Sequence, residues 1–175
     1  VTRTQNVHSF TLQGRFDQLS AEHYLSYRAG DLTARHLMQP FLAHLLLASS
    51  GAPIKTLTYG VRKEQLVSGH FEPMDQARAK DLLGTYLQAF TQGNSALLVF
   101  PFETCRALLS HLDKGLDLPD ALDQVEQTWR DPKALTDAQD PYWSRLIESP
   151  LTLNQLNIDL ARALLDPLTA AWVQS

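Results

Sequence analysis

One cysteine, Cys105, stands in 175 residues. A lone thiol excludes an internal disulfide and any cysteine-built metal cluster. It suits a reducing, cytoplasmic setting. Long apolar runs are missing too. No stretch of roughly 18 residues is apolar enough to read as a transmembrane helix, and no secretory leader is visible. Basic excess is lacking: 15 Lys and Arg face 19 Asp and Glu, a formal net charge of -4. That speaks against a stand-alone nucleic-acid binder, but not against a local basic patch inside a larger assembly. No GxxxxGK[ST] loop or GxGxxG fingerprint occurs, so no phosphate cradle for ATP or NAD is present. No GxSxG elbow frames a serine nucleophile. No cofactor is expected.

What is present suits one domain over residues 1–175. Composition is 44% apolar and 19% charged, ordinary for a globular chain large enough to close a single core. The chain begins at Val1; the expectation is a C-terminal fragment of a longer protein.

Periodicity sets the element order. "VHSFTL" (7–12) alternates, with His8, Phe10 and Leu12 on one face, and "QGRF" supplies a glycine for a bend. "EHYLSYR" alternates again, and "RAGD" reads as a turn. Ala34, Leu37, Met38, Phe41, Leu42 and Leu45 then follow the helical spacing. Asp31 or Thr33 is placed to cap that helix, Pro40 to kink it, and the glycine of "ASSGA" to end it. "PIKTLTYGVRKEQLVSGHFEP" (53–73) reads as two strands joined by a charged turn. A second helix carries Ala79, Leu82, Leu83, Tyr86, Leu87 and Phe90 and stops at "QGN". "ALLVF" (96–100) reads as a buried strand. Ala121, Leu122, Val125 and Trp129 line a helix that opens at Pro119. Residues 131–150 carry three prolines and read as loop. "TLNQ" (152–155) is a capping box for a last helix with Leu153, Leu156, Leu160, Ala163 and Leu164 on its apolar side. The pattern is an α/β fold, a mixed sheet flanked by helices with a helical C-terminal part.

The strand pair at 53–73 raises a chemical question. Metal-dependent nucleases build active sites on such pairs, with an acid at the end of one strand and an acid and a lysine on the next. Here those positions read Thr, Gly, Ser and His. A literal PD…(D/E)xK string exists elsewhere, at Pro119–Asp120 and Asp131–Lys133. That chemistry needs two or three carboxylates around Mg²⁺ and a lysine near the attacking water. The context differs, because Pro119–Asp120 opens a helix and Pro132 would break a central strand. The six histidines offer no metal site either. His36 and His44 lie eight apart, not at the four-residue spacing of a zinc helix, and His8, His23, His70 and His111 are scattered. For nucleic acid, Arg62 and Lys63 sit on the exposed turn, and Arg28 and Arg35 flank the first helix start. Such a turn can touch a phosphate backbone.

Five segments in order carry a family resemblance: "YLSYRAGDLTARHLMQPFLAHLLLASSGA", "ARAKDLLGTYLQAFTQGNSALLVFPFET", "ALDQVEQTW", "DPYWSRLI" and "LARALLDPLTAAW". Together, over roughly residues 10 to 173, they resemble the C-terminal domain of the exodeoxyribonuclease V gamma subunit, RecC. One stretch departs from the family. After "QGN" the family usually has "PLPFFP", then a lysine and a tryptophan; here "ALLVFPFETCRA" brings Glu103 and Cys105 instead.

The resemblance implies a restriction-endonuclease-like PD-(D/E)xK fold without its catalytic residues. It implies membership of a RecBCD helicase–nuclease, beside RecB-like and RecD-like subunits that hold the ATPase and nuclease sites, in the repair of broken DNA by recombination. The expected role is a non-catalytic scaffold that guides DNA, with Arg62, Lys63 and Arg28 as the DNA contacts. Two alternatives stay open. One is an active Mg²⁺ nuclease using Asp120, Asp131 and Lys133. The other is a protein-interaction module without DNA contact, which an exposed apolar patch would favour.

Overall fold

The computed structural model describes residues 2–7, 10–131, 137–147 and 156–175. Two compact units emerge, Val1–Thr91 with Asp166–Ser175, and Gln92–Leu165.

The first unit opens with an antiparallel pair, β1 (Thr2–Val7) and β2 (Phe10–Arg15). The alternating stretch 7–12 therefore spans the end of one strand and the start of the next. His8 lies outside the described residues. Gly14 makes no bend. It sits within β2, where a Cβ would come within 2.7 Å of a Leu46 methyl, so its value is close packing. Strand β3 (His23–Asp31) runs on through "RAGD". Its register against the next strand shifts between Tyr27 and Asp31, so the expected turn is a bulge.

A 3-10 turn at Ala34–Leu37 follows, with Thr33 as its cap; the Thr33 N–H donates to His36 Nδ1 at 3.2 Å. Helix α1 (Met38–Ser49) starts immediately after. Pro40 thus falls in the first turn of α1, where its missing N–H would have had no intrahelical partner. The expected kink is replaced by a fresh helix start. Gly51, at φ 82, ends the helix in the left-handed region.

Strands β4 (Lys55–Arg62) and β5 (Gln65–Phe71) form the expected hairpin, and β6 (Trp172–Gln174) adds an edge. The sheet order is β3-β4-β5-β6, with β3–β4 parallel and the other pairs antiparallel. Phe41, His44 and Phe71 pack between α1 and the sheet. Phe71 lies 5.2 Å by ring centroid from Phe41 and from Trp172, and 5.7 Å from His44. Tyr86, from α2 (Gln76–Ser95), meets Phe41 edge-on. Helix α2 does not stop at "QGN": Gly93 stays helical. Its stripe is buried at Ala79 and Leu83 and ends on an exposed Phe90.

The second unit holds α3 (Phe102–Asp113), α4 (Leu118–Arg130), a 3-10 turn at Asp137–Gln139, the short α5 (Trp143–Leu146) and the start of α6 (Ile158–Ala171). Residues 96–100 form no strand, and Leu97 is exposed. The predicted face of α4 is correct: Ala121, Leu122, Val125 and Trp129 are all buried, and the Asp117 carboxylate accepts the Asp120 N–H. The "TLNQ" box and Leu153 lie outside the described residues. On α6 the buried positions are Ala161, Leu164, Leu165 and Leu168, with Ala163 exposed.

Candidate nucleic-acid interface

The hairpin tip between β4 and β5 is two residues long, Lys63 and Glu64, at φ 50 and 64. Both φ values are positive, as in the tight hairpin turns that match strand twist. Neither residue is glycine, so the tip carries local strain. The turn lifts an exposed Lys63 to the end of the sheet. Arg62, the last residue of β4, pairs with Gln65 across the hairpin. On the neighbouring strand Asp31 pairs with Val61, which brings the far end of β3 to the same end of the sheet. Arg28 lies there, exposed, and its Nε donates to the Asp31 carbonyl at 3.1 Å. The three basic residues named from sequence therefore share one sheet end, with Asp31 and Glu64 between them.

The rival nuclease residues do not converge. Asp120 lies in the first turn of α4 and Asp131 just beyond its last, and eleven positions at the helical rise separate them by about 17 Å. One metal ion cannot span that distance. Lys133 lies outside the described residues. Among the described residues, no group of three His, Cys, Asp or Glu is placed to hold a metal ion. Neither β4 nor β5 contains an acid.

Histidine and cysteine serve the core. His44 is fully buried, and its Nδ1 lies 3.0 Å from Thr56 Oγ1. Burial holds its pKa down at about 4, against a smaller opposing pull from the Glu72 backbone. Cys105 is buried on α3; desolvation, then the nearby Asp137 charge, pushes its thiol up to about 12. It is packed rather than reactive. Asp137 is itself buried and accepts both the Thr104 N–H and hydroxyl, at 2.8 and 2.9 Å. It caps the start of α3 from a distant loop, a role with no local signal in the sequence. Glu103, where the sequence departs from the family, sits in the first turn of α3 and pairs with Arg106 at 2.9 Å. An acid is favoured there by the helix dipole.

A second feature was not evident from sequence. The side chains of β4 that face α1 are Thr56 and Thr58, at 0% and 2% exposure. Leu57, Tyr59 and Val61 therefore point to the opposite, outer face. The register sets Leu25, Leu57, His70 and Val173 in one row across that face, and Tyr27 beside Tyr59 in the next. Tyr27 is 66% exposed and Leu66 76%. One edge of this face is ion-paired, with Glu72 bonded to Lys55 at 2.8 Å and to His70 at 2.9 Å.

Among the described residues no helix is long and apolar enough to cross a membrane. A family model described as the RecC C-terminal domain matches residues 2–113, well over half of the chain. That span holds the whole β3–β5 arrangement. The resembling segments beyond residue 113 lie outside it. The search of curated proteins returned no match.

Proposed function

The chain belongs to the RecC C-terminal domain family, and from that premise we propose that it is a non-catalytic structural and DNA-guiding domain of a RecBCD-type helicase–nuclease. Its fold is a relative of the PD-(D/E)xK nucleases that kept the sheet and lost the acids. Its partners are RecB-like and RecD-like subunits and the DNA end they process in the cytoplasm, during recombinational repair of double-strand breaks. ATP hydrolysis and strand cleavage belong to those other subunits.

The observation that carries this reading is the basic end of the sheet. A two-residue turn holds Lys63 out, beside Arg62, with Arg28 on the next strand. Such a point positions a backbone phosphate and reads no sequence. The absence of acids from β4 and β5 supports the loss of chemistry, since metal-dependent hydrolysis needs carboxylates to hold the ion.

The test is the double substitution Arg62→Ala, Lys63→Ala in the assembled complex. Unwinding of forked DNA should fall, most visibly at higher salt, where binding limits the rate. The slope of log affinity against log salt should become shallower by up to about 2. Unchanged unwinding would make the turn a solvated tip. Metal-dependent cleavage by the domain itself, lost in Asp131→Asn, would overturn the non-catalytic reading.

A further inference from the structure

Of the five tyrosines, two are taken up by packing: Tyr24 meets Phe16 edge-on, and Tyr86 meets Phe41. Tyr142 is exposed in the second unit. The remaining two, Tyr27 and Tyr59, stand in register on the parallel strands β3 and β4. They share the outer face of the sheet, one strand spacing of about 4.8 Å apart. Tyr27 is 66% exposed and Tyr59 37%. Among the described residues neither ring packs against another aromatic ring. On the other side of Tyr59 the β5 partner is Ser68, whose short side chain leaves that flank of the ring open.

Cations gather at the same end of the sheet. Arg28 follows Tyr27 directly and is exposed. Lys63, also exposed, lies four residues past Tyr59, about 13 Å along the strand. The Leu32 N–H donates to the Val61 carbonyl at 2.7 Å, so the chain leaves the sheet here, and exposed Arg35 lies three residues on. Among the described residues the side chains of Lys63 and Arg35 have no ion-pair or hydrogen-bond partner. With Arg62, four cations meet two acids at this end, Asp31 and Glu64, in a chain whose net charge is -4.

We propose that Tyr27 and Tyr59 form a base-stacking site for single-stranded DNA, with its phosphates held by Lys63, Arg28 and Arg35. Resting on the reading above that this end of the sheet guides DNA, the site adds a contact to bases and restricts the occupant to an unpaired strand.

Stacking selects that strand. Inside a duplex each base lies against its neighbours on both faces, so a tyrosine ring finds no open base and only the cations could engage. An unpaired strand offers its base faces. Aromatic side chains beside a basic track hold such strands with little regard to sequence, because every base has a π-face. Polarity agrees, since the tyrosine hydroxyls and Ser68 set donors and acceptors around the rings, where base edges and sugars find partners.

The experiment uses the full-length subunit reconstituted with separately expressed helicase–nuclease and helicase subunits. Forked DNA carries 5-iododeoxyuridine in its single-stranded arms, a base that cross-links under light to an aromatic ring stacked on it. The expected product joins this base to Tyr27 or Tyr59. In parallel, Tyr27→Ala should weaken fork binding roughly tenfold, with the thermal midpoint of the subunit unchanged because the side chain is exposed. Tyr27→Phe keeps the ring and should keep the binding. Arms with abasic sites keep the phosphates and should bind the native and Tyr27→Ala subunits equally. Cross-links that miss both rings would overturn the proposal, as would Tyr27→Ala binding like the native subunit. Cross-links to either ring from iododeoxyuridine placed only in the duplex part would overturn the choice of an unpaired strand. Lys63→Ala separates this failure from that of the reading beneath it. If it still weakens binding, only the stacking site falls; if it too is silent, the DNA-guiding reading falls as well.

Discussion

The two faces of one strand have opposite compositions and opposite fates. On β4 the inward side presents Thr56 and Thr58 to a packed layer of Phe41, His44 and Phe71. The outward side carries an exposed Tyr59 and half-buried Leu57 and Val61. Burial in this unit is thus decided by what α1 brings, not by the hydrophobicity of the strand alone. The inner face bonds Thr56 to His44, while the outer face mixes half-buried apolar side chains with the Lys55–Glu72–His70 cluster. A core tolerates hydroxyls where partners exist.

The largest effect that should separate the two faces is truncation. Phe71 is fully buried on the inner face and touches Phe41, His44 and Trp172. Phe71→Ala should cost about 3–5 kcal/mol in urea unfolding. Leu66→Ala, on the next strand position to face outward at the tip, should stay within about 0.5 kcal/mol. Equal losses would mean that the outer face is already covered within the domain.

The second effect is acid sensitivity confined to the inner face. With a folded pKa of about 4 against an ordinary value of 6.5, His44 stays neutral in the fold while the unfolded chain takes up a proton. Stability from the neutral ring is therefore complete above pH 6.5. It is lost as pH falls toward 4, by about 3 kcal/mol in all. Glu72, whose backbone lies beside the ring, has its carboxyl pulled below the usual range, chiefly by its bond to Lys55, so it adds little in that window. Unfolding curves at pH 7 and pH 4.5 should diverge in the native chain and converge in His44→Gln. A pH-independent native chain would place the ring in contact with solvent.

Elements with a local cause were legible in the sequence. The helix around Phe41 and Leu45, the β4–β5 hairpin and the buried face of α4 all follow from spacing within one segment. The family was legible as well, because the ordered segments span several elements. The errors came from non-local causes. Gly14 reads as a bend until Leu46 of α1 is seen against it. "RAGD" reads as a turn because glycine and aspartate break strands, yet pairing to β4 carries the strand through as a bulge. "ALLVF" reads as a buried strand by composition alone, and no neighbour offers it a ladder. At the candidate site, the basic turn was visible as residues, but its convergence with Arg28 needed the β3–β4 register. The alternation of Leu57, Tyr59 and Val61 was visible too. Which side faced inward was not, since both sides of a strand alternate equally.

The smallest effect probes that inner side directly, one hydroxyl at a time. Thr56 and Thr58 are two residues apart, both buried, on the same face. Thr56 Oγ1 bonds to His44, whereas Thr58 Oγ1 has no hydrogen-bond partner among the described residues. Valine replaces the hydroxyl with a methyl of similar shape. Thr56→Val removes a bond and leaves a buried imidazole nitrogen unpaired, which should cost about 1–3 kcal/mol. Thr58→Val removes an unmet desolvation cost and should stabilise by up to about 1 kcal/mol. Opposite signs at two positions of one face would show that α1, through His44, selects what that face can hold. A loss at both would mean that Thr58 is satisfied by water held inside the fold, and that the inner face is more polar than its side chains alone indicate.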